Sequence, residues 1–254
     1  MTALSVVMPD AREAELPRIG SDRLLLVCPH PDDETLGAGI LLQEASASGA
    51  EIHVVYLTSG ENNRIPQMAA EGRWPRGEPA RARWGEIRRH EALHALRILG
   101  VESDPEFWHL PDQGIAKKSG TVVARMSDLL RFFRPTMFIT PSVRDLHPDH
   151  AAAGALCRQA LLGIRRQPPP RHLVYIVHGS PHRNEGSVTP GSSTGFRARK
   201  VLALECHATQ LLLSRDRLFG LAAREERFLS AEVDASLHAP KWRGLLRLVN
   251  LFSR

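Results

Sequence analysis

Cysteine is scarce. Three residues in 254, at positions 28, 157 and 206, are too few and too scattered for a disulfide framework. Such an odd set fits a reducing compartment, and the chain is read as cytoplasmic. Long apolar runs are also missing: none approaches the roughly 20 residues that cross a bilayer. Residues 1–20 lack the apolar centre of a signal peptide and carry Asp10, Glu13 and Glu15 instead. The body of the chain lacks a charge surplus. Of a net charge of +5, Lys241, Arg243, Arg247 and Arg254 supply +4, with no acid among residues 241–254. The remainder is nearly neutral, which argues against nucleic acid as a partner. No internal repeat and no second domain are evident. Charged residues at 24% and apolar residues at 43% are ordinary for a soluble domain, and the length allows a full core.

What is present is an alternation. Strand-type runs at 23–28, 51–58, 106–110, 136–140 and 171–178 alternate with helical segments. The helices are placed at 35–48, 81–99, 122–133, 150–163, 196–213 and 218–229, with a Gly-, Pro- and Arg-rich loop over 62–80. This order predicts the α/β class: a single Rossmann-like, three-layer domain with a mostly parallel sheet and helices on both faces. Residues 1–21 read as an N-terminal arm, 22–236 as the domain, and 237–254 as a basic amphipathic helix. In that last segment Trp242, Leu245, Leu246, Val249 and Phe252 share one face, and Arg243, Arg247, Asn250 and Arg254 the other. Such a helix suits peripheral contact with the inner membrane face through residues 240–254. It equally suits packing on the domain or on a second copy in a homo-oligomer.

Two polar clusters follow strands, where sites form in open α/β sheets. The first is Pro29-His30-Pro31-Asp32-Asp33-Glu34, with one imidazole and three carboxylates within five residues. Crowded carboxylates repel unless a cation sits among them. The second, His147-Pro148-Asp149-His150, offers further ligands. A catalytic zinc site uses three protein ligands and keeps one open position. His30 and Asp33, three apart at a strand–helix turn, can point at one centre, and His150 completes the set. Asp32 is then free to take a proton from water. Each imidazole needs a partner on its other nitrogen, for which Asp149 and Asp145 are both available. Glu34 and His207 read as supporting or structural residues. Between Arg64 and His90, seven arginines face three glutamates, an excess that favours a charged substrate or a large aglycone.

These motifs resemble the PIG-L/LmbE-like zinc deacetylases. Further matches are Leu57-Thr58-Ser59-Gly60-Glu61, Arg88-Arg89-His90-Glu91, Leu110-Pro111-Asp112 and the late segment from Lys200 to His207 and Gln210. The resemblance spans residues 22–230. It implies zinc, one ion per chain, with another divalent metal as the alternative, held by His30, Asp33 and His150. It implies Asp32 as the general base and His147, oriented by Asp149, as the group that stabilises the oxyanion or protonates the amine. Arg88 and Asp112 match sugar-contacting positions. The implied reaction is removal of an acetyl group from an N-acetylated, GlcNAc-type sugar conjugate, small or lipid-linked, by attack of a zinc-activated water. Hydrolysis of another amide or of a phosphoester, and a non-catalytic glycan- or lipid-binding descendant, are the alternatives.

Overall fold

Arg23–Cys28 is apolar at five consecutive positions, and a strand of that kind must be covered on both faces. The computed structural model describes residues 22–164, 168–179, 189–191 and 193–236, and there this strand, β1, lies inside a six-stranded sheet. The other strands are β2 (Glu51–Thr58), β3 (Glu106–Leu110), β4 (Met137–Pro141), β5 (Arg171–Tyr175) and β6 (Leu229–Ser230). Their order is β3-β2-β1-β4-β5-β6, parallel throughout except for the antiparallel β5–β6 pair. The helices are α1 (Asp33–Ala47), α2 (Arg64–Glu71), α3 (Gly77–Ile98), α4 (Ser119–Phe133), α5 (Pro148–Leu162), α6 (Thr194–Glu205), α7 (Ala208–Ala222) and α8 (Ala231–Ser236).

Alternation along β1 divides the core. Leu24, Leu26 and Cys28 pack with Leu41 and Leu42 of α1 and with Ala92 and Leu96 of α3. Leu25 and Val27 face the other way, onto Met126 and Leu130 of α4 and Ala153 and Leu156 of α5. The expected three-layer α/β domain is therefore what forms. The strand order turns at β1, whose neighbours are β2 and β4, so the loops leaving β1 and β4 open side by side. That switch point brings the two polar clusters together.

Buried polar groups fix the helices around this point. α1 breaks at Ala38 (φ −146°, ψ 17°). The Glu226 carboxylate accepts the N–H groups of Ile40 at 2.7 Å and Leu41 at 3.0 Å, capping the second half of the helix. Lys200 donates to the same carboxylate at 2.7 Å, so the buried charge is paired. At α5, Pro148 occupies the first turn and His147 the N-cap. Gly154 lets α5 approach the end of β4, because a Cβ there would lie 2.3 Å from the Pro141 carbonyl oxygen.

Several elements differ from the sequence expectation. The 62–80 loop contains α2, which at eight residues with an internal Pro66 is short enough to be read as loop. The break between the last two long helices falls at Cys206–His207, not at 214–217, and Ser214 is only a kink. There Glu91, from α3, accepts the N–H of Thr209 at 2.8 Å and also its hydroxyl, starting α7. Leu229 ends no helix; it pairs with Val174 in the antiparallel edge strand. The arm expected at 1–21 and the basic helix expected at 237–254 lie outside the described residues. Among the described residues, no helix is long and apolar enough to cross a membrane.

Candidate active site

β1 delivers His30, Asp32 and Asp33 at its carboxyl end, and β4 delivers Asp145, His147, Asp149 and His150. Asp33 stands between two imidazoles. Its Oδ2 is 3.5 Å from His30 Nδ1, and its Oδ1 is 3.3 Å from His150 Nε2. The outer nitrogens of both rings also meet carboxylates. His150 Nδ1 is 3.3 Å from Asp145 Oδ2, and His30 Nε2 is 3.2 Å from Asp112 Oδ1 and 3.4 Å from Asp149 Oδ2. Asp33 and His150 are fully buried. Both His150 nitrogens and His30 Nε2 lack an aligned hydrogen-bond partner.

This arrangement demands positive charge. Burial alone would lower the His150 pKa, but Asp33 and Asp145 outweigh it and lift the ring to about 9. For His30, burial is likewise outweighed, by Asp112, Asp149 and Asp33, and its pKa is raised. Two imidazoles bridged by one carboxylate, with further carboxylates behind the rings, are the residue types of a zinc-type centre, although the ligand atoms of His30, Asp33 and His150 do not form one group. Ring nitrogens of His30, His147 and His150 lie within 4.8 Å of one another. Asp33, His150 and His178 form a second such group, and His30, Asp112 and Asp149 a third. The residues therefore fit a divalent metal.

Asp32 sits at the N-cap of α1 with φ 115°, a strained value for a residue with a Cβ. Burial pushes its carboxyl up to about 6, while the Arg88 guanidinium pulls the other way. Arg88 Nη2 lies 3.3 Å from Asp32 Oδ2. Arg88 is itself buried and also donates to the carbonyl oxygens of Gly60 at 2.9 Å and Pro31 at 2.5 Å. Gly60 permits this approach: at φ 62° it carries no Cβ, and one would fall 1.7 Å from Arg88 Nη1.

His147 is half-buried. Its Nδ1 accepts the backbone N–H of Asp149 at 3.3 Å, which leaves the proton of the neutral ring on Nε2. Burial, then the charges on His30 and His150, hold its pKa down. The Asp149 carboxylate is engaged elsewhere, by the N–H groups of Gln113 at 2.7 Å and Ile115 at 3.2 Å as well as by His30. Asp149 thus touches His147 through its main chain, and its side chain backs His30.

A cavity of about 370 Å³ opens over these groups. It is lined by His30, Asp32, Arg88, Asp112, His147 and His178, by Asn63 and the buried Gln210, and by the exposed Ile65, Leu213 and Arg217 at its mouth. The arginine excess of 64–90 does not point into it as free charge. Arg81 pairs with Glu78, Arg83 with Glu71 and Arg89 with Glu86. These pairs use all three glutamates and leave the excess on Arg64, Arg73, Arg76 and Arg88, of which only Arg88 lines the cavity.

The sequence undervalues two features. His178 follows β5, and its ring centroid lies 4.9 Å from that of His150 and 5.4 Å from that of His147. Burial brings it down to about 4, so it is neutral. Its place just after a strand adjoining β4 is the available signal. Glu34 and His207, which read as supporting residues, form a fully buried pair at 2.7 Å.

The fold and the site define an α/β protein with a His/Asp metal-type centre at the switch point of a mostly parallel sheet. Residues 25–161, more than half of the chain, match the family model described as PIG-L, GlcNAc-PI de-N-acetylase, and the chain belongs to that family. It is 28% identical over 239 residues to the 1D-myo-inositol 2-acetamido-2-deoxy-alpha-D-glucopyranoside deacetylase of Mycobacteroides abscessus, covering 76% of this chain and 83% of that one. It is 29% identical over 137 residues to the 4-oxalmesaconate hydratase of Pseudomonas putida, covering 54% and 50%. Among solved structures, the conserved protein TT1542 from Thermus thermophilus superposes with a TM-score of 0.63 at 27% identity, over 82% of this chain and 94% of that one.

Proposed function

We propose that the chain is a metal-dependent hydrolase that removes the acetyl group from an N-acetylated, GlcNAc-type sugar. The observation that carries this reading is that the Asp33 carboxylate meets both His30 Nδ1, at 3.5 Å, and His150 Nε2, at 3.3 Å, with His30, Asp32 and His147 lining the cavity. His30, Asp33 and His150 would hold the ion, zinc by the chemistry of the donors. Once bound, the metal supplies Lewis acidity toward the acetamide oxygen and lowers the pKa of water.

The chain's own residues do the rest. Asp32, whose carboxyl burial raises to about 6, takes a proton from the attacking water. Arg88 keeps its carboxylate in place. His147 presents Nε2–H to the oxygen that gains charge as the carbonyl is attacked, or to the departing nitrogen. Asp112 orients His30 and lines the cavity, where its second oxygen already accepts the N–H of Asn62 at 3.1 Å. Asn63 and Gln210, joined at 3.1 Å, add polar groups to the lining that suit sugar hydroxyls.

The similarity to a hydratase favours a second reading, addition of water to an unsaturated acid. The cavity lining argues against it. Its only arginines among the described residues are Arg88, bound to the protein, and Arg217 at the mouth, a poor match for an acid with several carboxylates. The test is release of free amine and acetate from a panel of N-acetylated sugars, with and without chelator, beside unsaturated dicarboxylic acids. Chelator-sensitive amine release supports the deacetylase; hydration of the acids without amine release replaces it.

A further inference from the structure

We infer that Glu34 and His207 are positioning residues that hold Asp32 in its strained, base-competent conformation. The inference rests on the deacetylase reading for what Asp32 does, and on geometry alone for how it is held.

The backbone of Asp32 lies at φ 115°, ψ −22°, which a residue with a Cβ keeps only when its surroundings hold it there. The peptide that leads into it, Pro31–Asp32, is clamped at both polar ends. Its carbonyl oxygen accepts from Arg88 Nη2 at 2.5 Å, and its N–H donates to Glu34 Oε2 at 2.9 Å. Glu34 is 0% exposed, so its carboxylate must be satisfied inside the protein. Its other oxygen accepts from the Thr35 hydroxyl at 2.7 Å and from His207 Nε2 at 2.7 Å. A carboxylate only accepts, so His207 donates from Nε2.

His207 cannot drift. Its N–H bonds to the Leu204 carbonyl at 3.0 Å, and its own carbonyl accepts from Gln210 and Leu211, so it is pinned between α6 and α7. Three turns of α7 then supply Gln210, Leu213, Arg217 and Leu218 to the cavity. The helix that walls the substrate cavity is thus connected through His207 and Glu34 to the backbone of Asp32. Neither residue lines the cavity, and neither belongs to the groups whose ligand atoms converge on a metal. Their contribution is orientation, on which rate depends steeply: a displacement of about 1 Å can cost roughly 100-fold.

The test uses full-length, metal-loaded protein and the variants His207→Leu and His207→Gln. The Gln amide nitrogen can stand where His Nε2 stands, and Leu cannot donate. Amide hydrogen exchange at Asp32 is read alongside kcat, KM and metal content. In the wild type the Asp32 amide is protected, although no helix or strand ladder holds it. In His207→Leu, protection falls at least about tenfold and kcat falls about 10- to 100-fold, with KM and metal content unchanged. His207→Gln recovers both. An Asp32 amide that exchanges freely in the wild type overturns the inference without any variant, even if His207→Leu does not fold. So does wild-type exchange in a folded His207→Leu, or a loss of kcat that merely follows loss of metal. Absence of deacetylase activity in the wild type, with the exchange pattern intact, would remove the proposed function and leave the clamp standing.

Discussion

Asp145 backs His150. Its Oδ2 lies 3.3 Å from Nδ1 of the ring, on the side away from Asp33, and both residues are buried. The same carboxylate accepts the N–H groups of His147, Val177 and His178, so it ties the β4 loop to the end of β5. A carboxylate behind a ligating imidazole fixes its tautomer and raises its basicity. Asp145→Asn is therefore expected to weaken metal binding about 10- to 100-fold, measured by competition with a chromophoric chelator.

Metal loading also feeds back on stability. An ion that binds only the folded chain adds about 2.7 kcal/mol at a concentration 100 times its Kd. Thermal melts with stoichiometric zinc and with excess chelator should differ by several degrees. The difference should vanish in His150→Ala.

Gly60 makes room for Arg88. Gly60→Ala places a Cβ against Nη1 at a backbone φ of 62°, so both the clash and the left-handed conformation disfavour it. A loss of about 1–3 kcal/mol is expected by urea denaturation, together with a fall in kcat as Arg88 moves off Asp32 and Pro31.

Acid should destabilise the fold partly through His172, which lies away from the metal-type centre on β5. Burial, then the charge of Arg158, hold its pKa down to about 3 against an ordinary 6.5. The unfolded chain therefore binds a proton there that the folded chain refuses. The stabilisation is full above the unfolded pKa and is lost as pH falls from about 6.5 toward 3, at up to about 1.4 kcal/mol per pH unit. Denaturation between pH 6.5 and 4.5 should show this slope in the wild type and a shallower one in His172→Leu.

The clusters at His30–Glu34 and His147–His150 are legible because each follows an apolar strand, and the parallel sheet places adjacent carboxyl-terminal loops together. Arg88 stands out only by resemblance. Its burial and its bonds to the Pro31 and Gly60 carbonyls depend on how α3 packs against the β1 and β2 loops, which no local pattern shows. The same holds for His207, which is 173 residues from Glu34. α2 reads as loop because it is only eight residues long, contains Pro66 and sits in a Gly-, Pro- and Arg-rich stretch. β6 escapes for a related reason: two residues make a strand only because β5 offers an edge.

The central claim is that this chain hydrolyses an acetamide with Asp32 as base at a metal held by its neighbours. The most direct measurement is acetate release from an N-acetylglucosaminide by wild type and Asp32→Asn at equal, measured metal content. The account predicts turnover by the wild type and a loss of about 100-fold or more in Asp32→Asn, with metal content unchanged. Equal rates in the two proteins, or loss of the metal along with the activity, would contradict it.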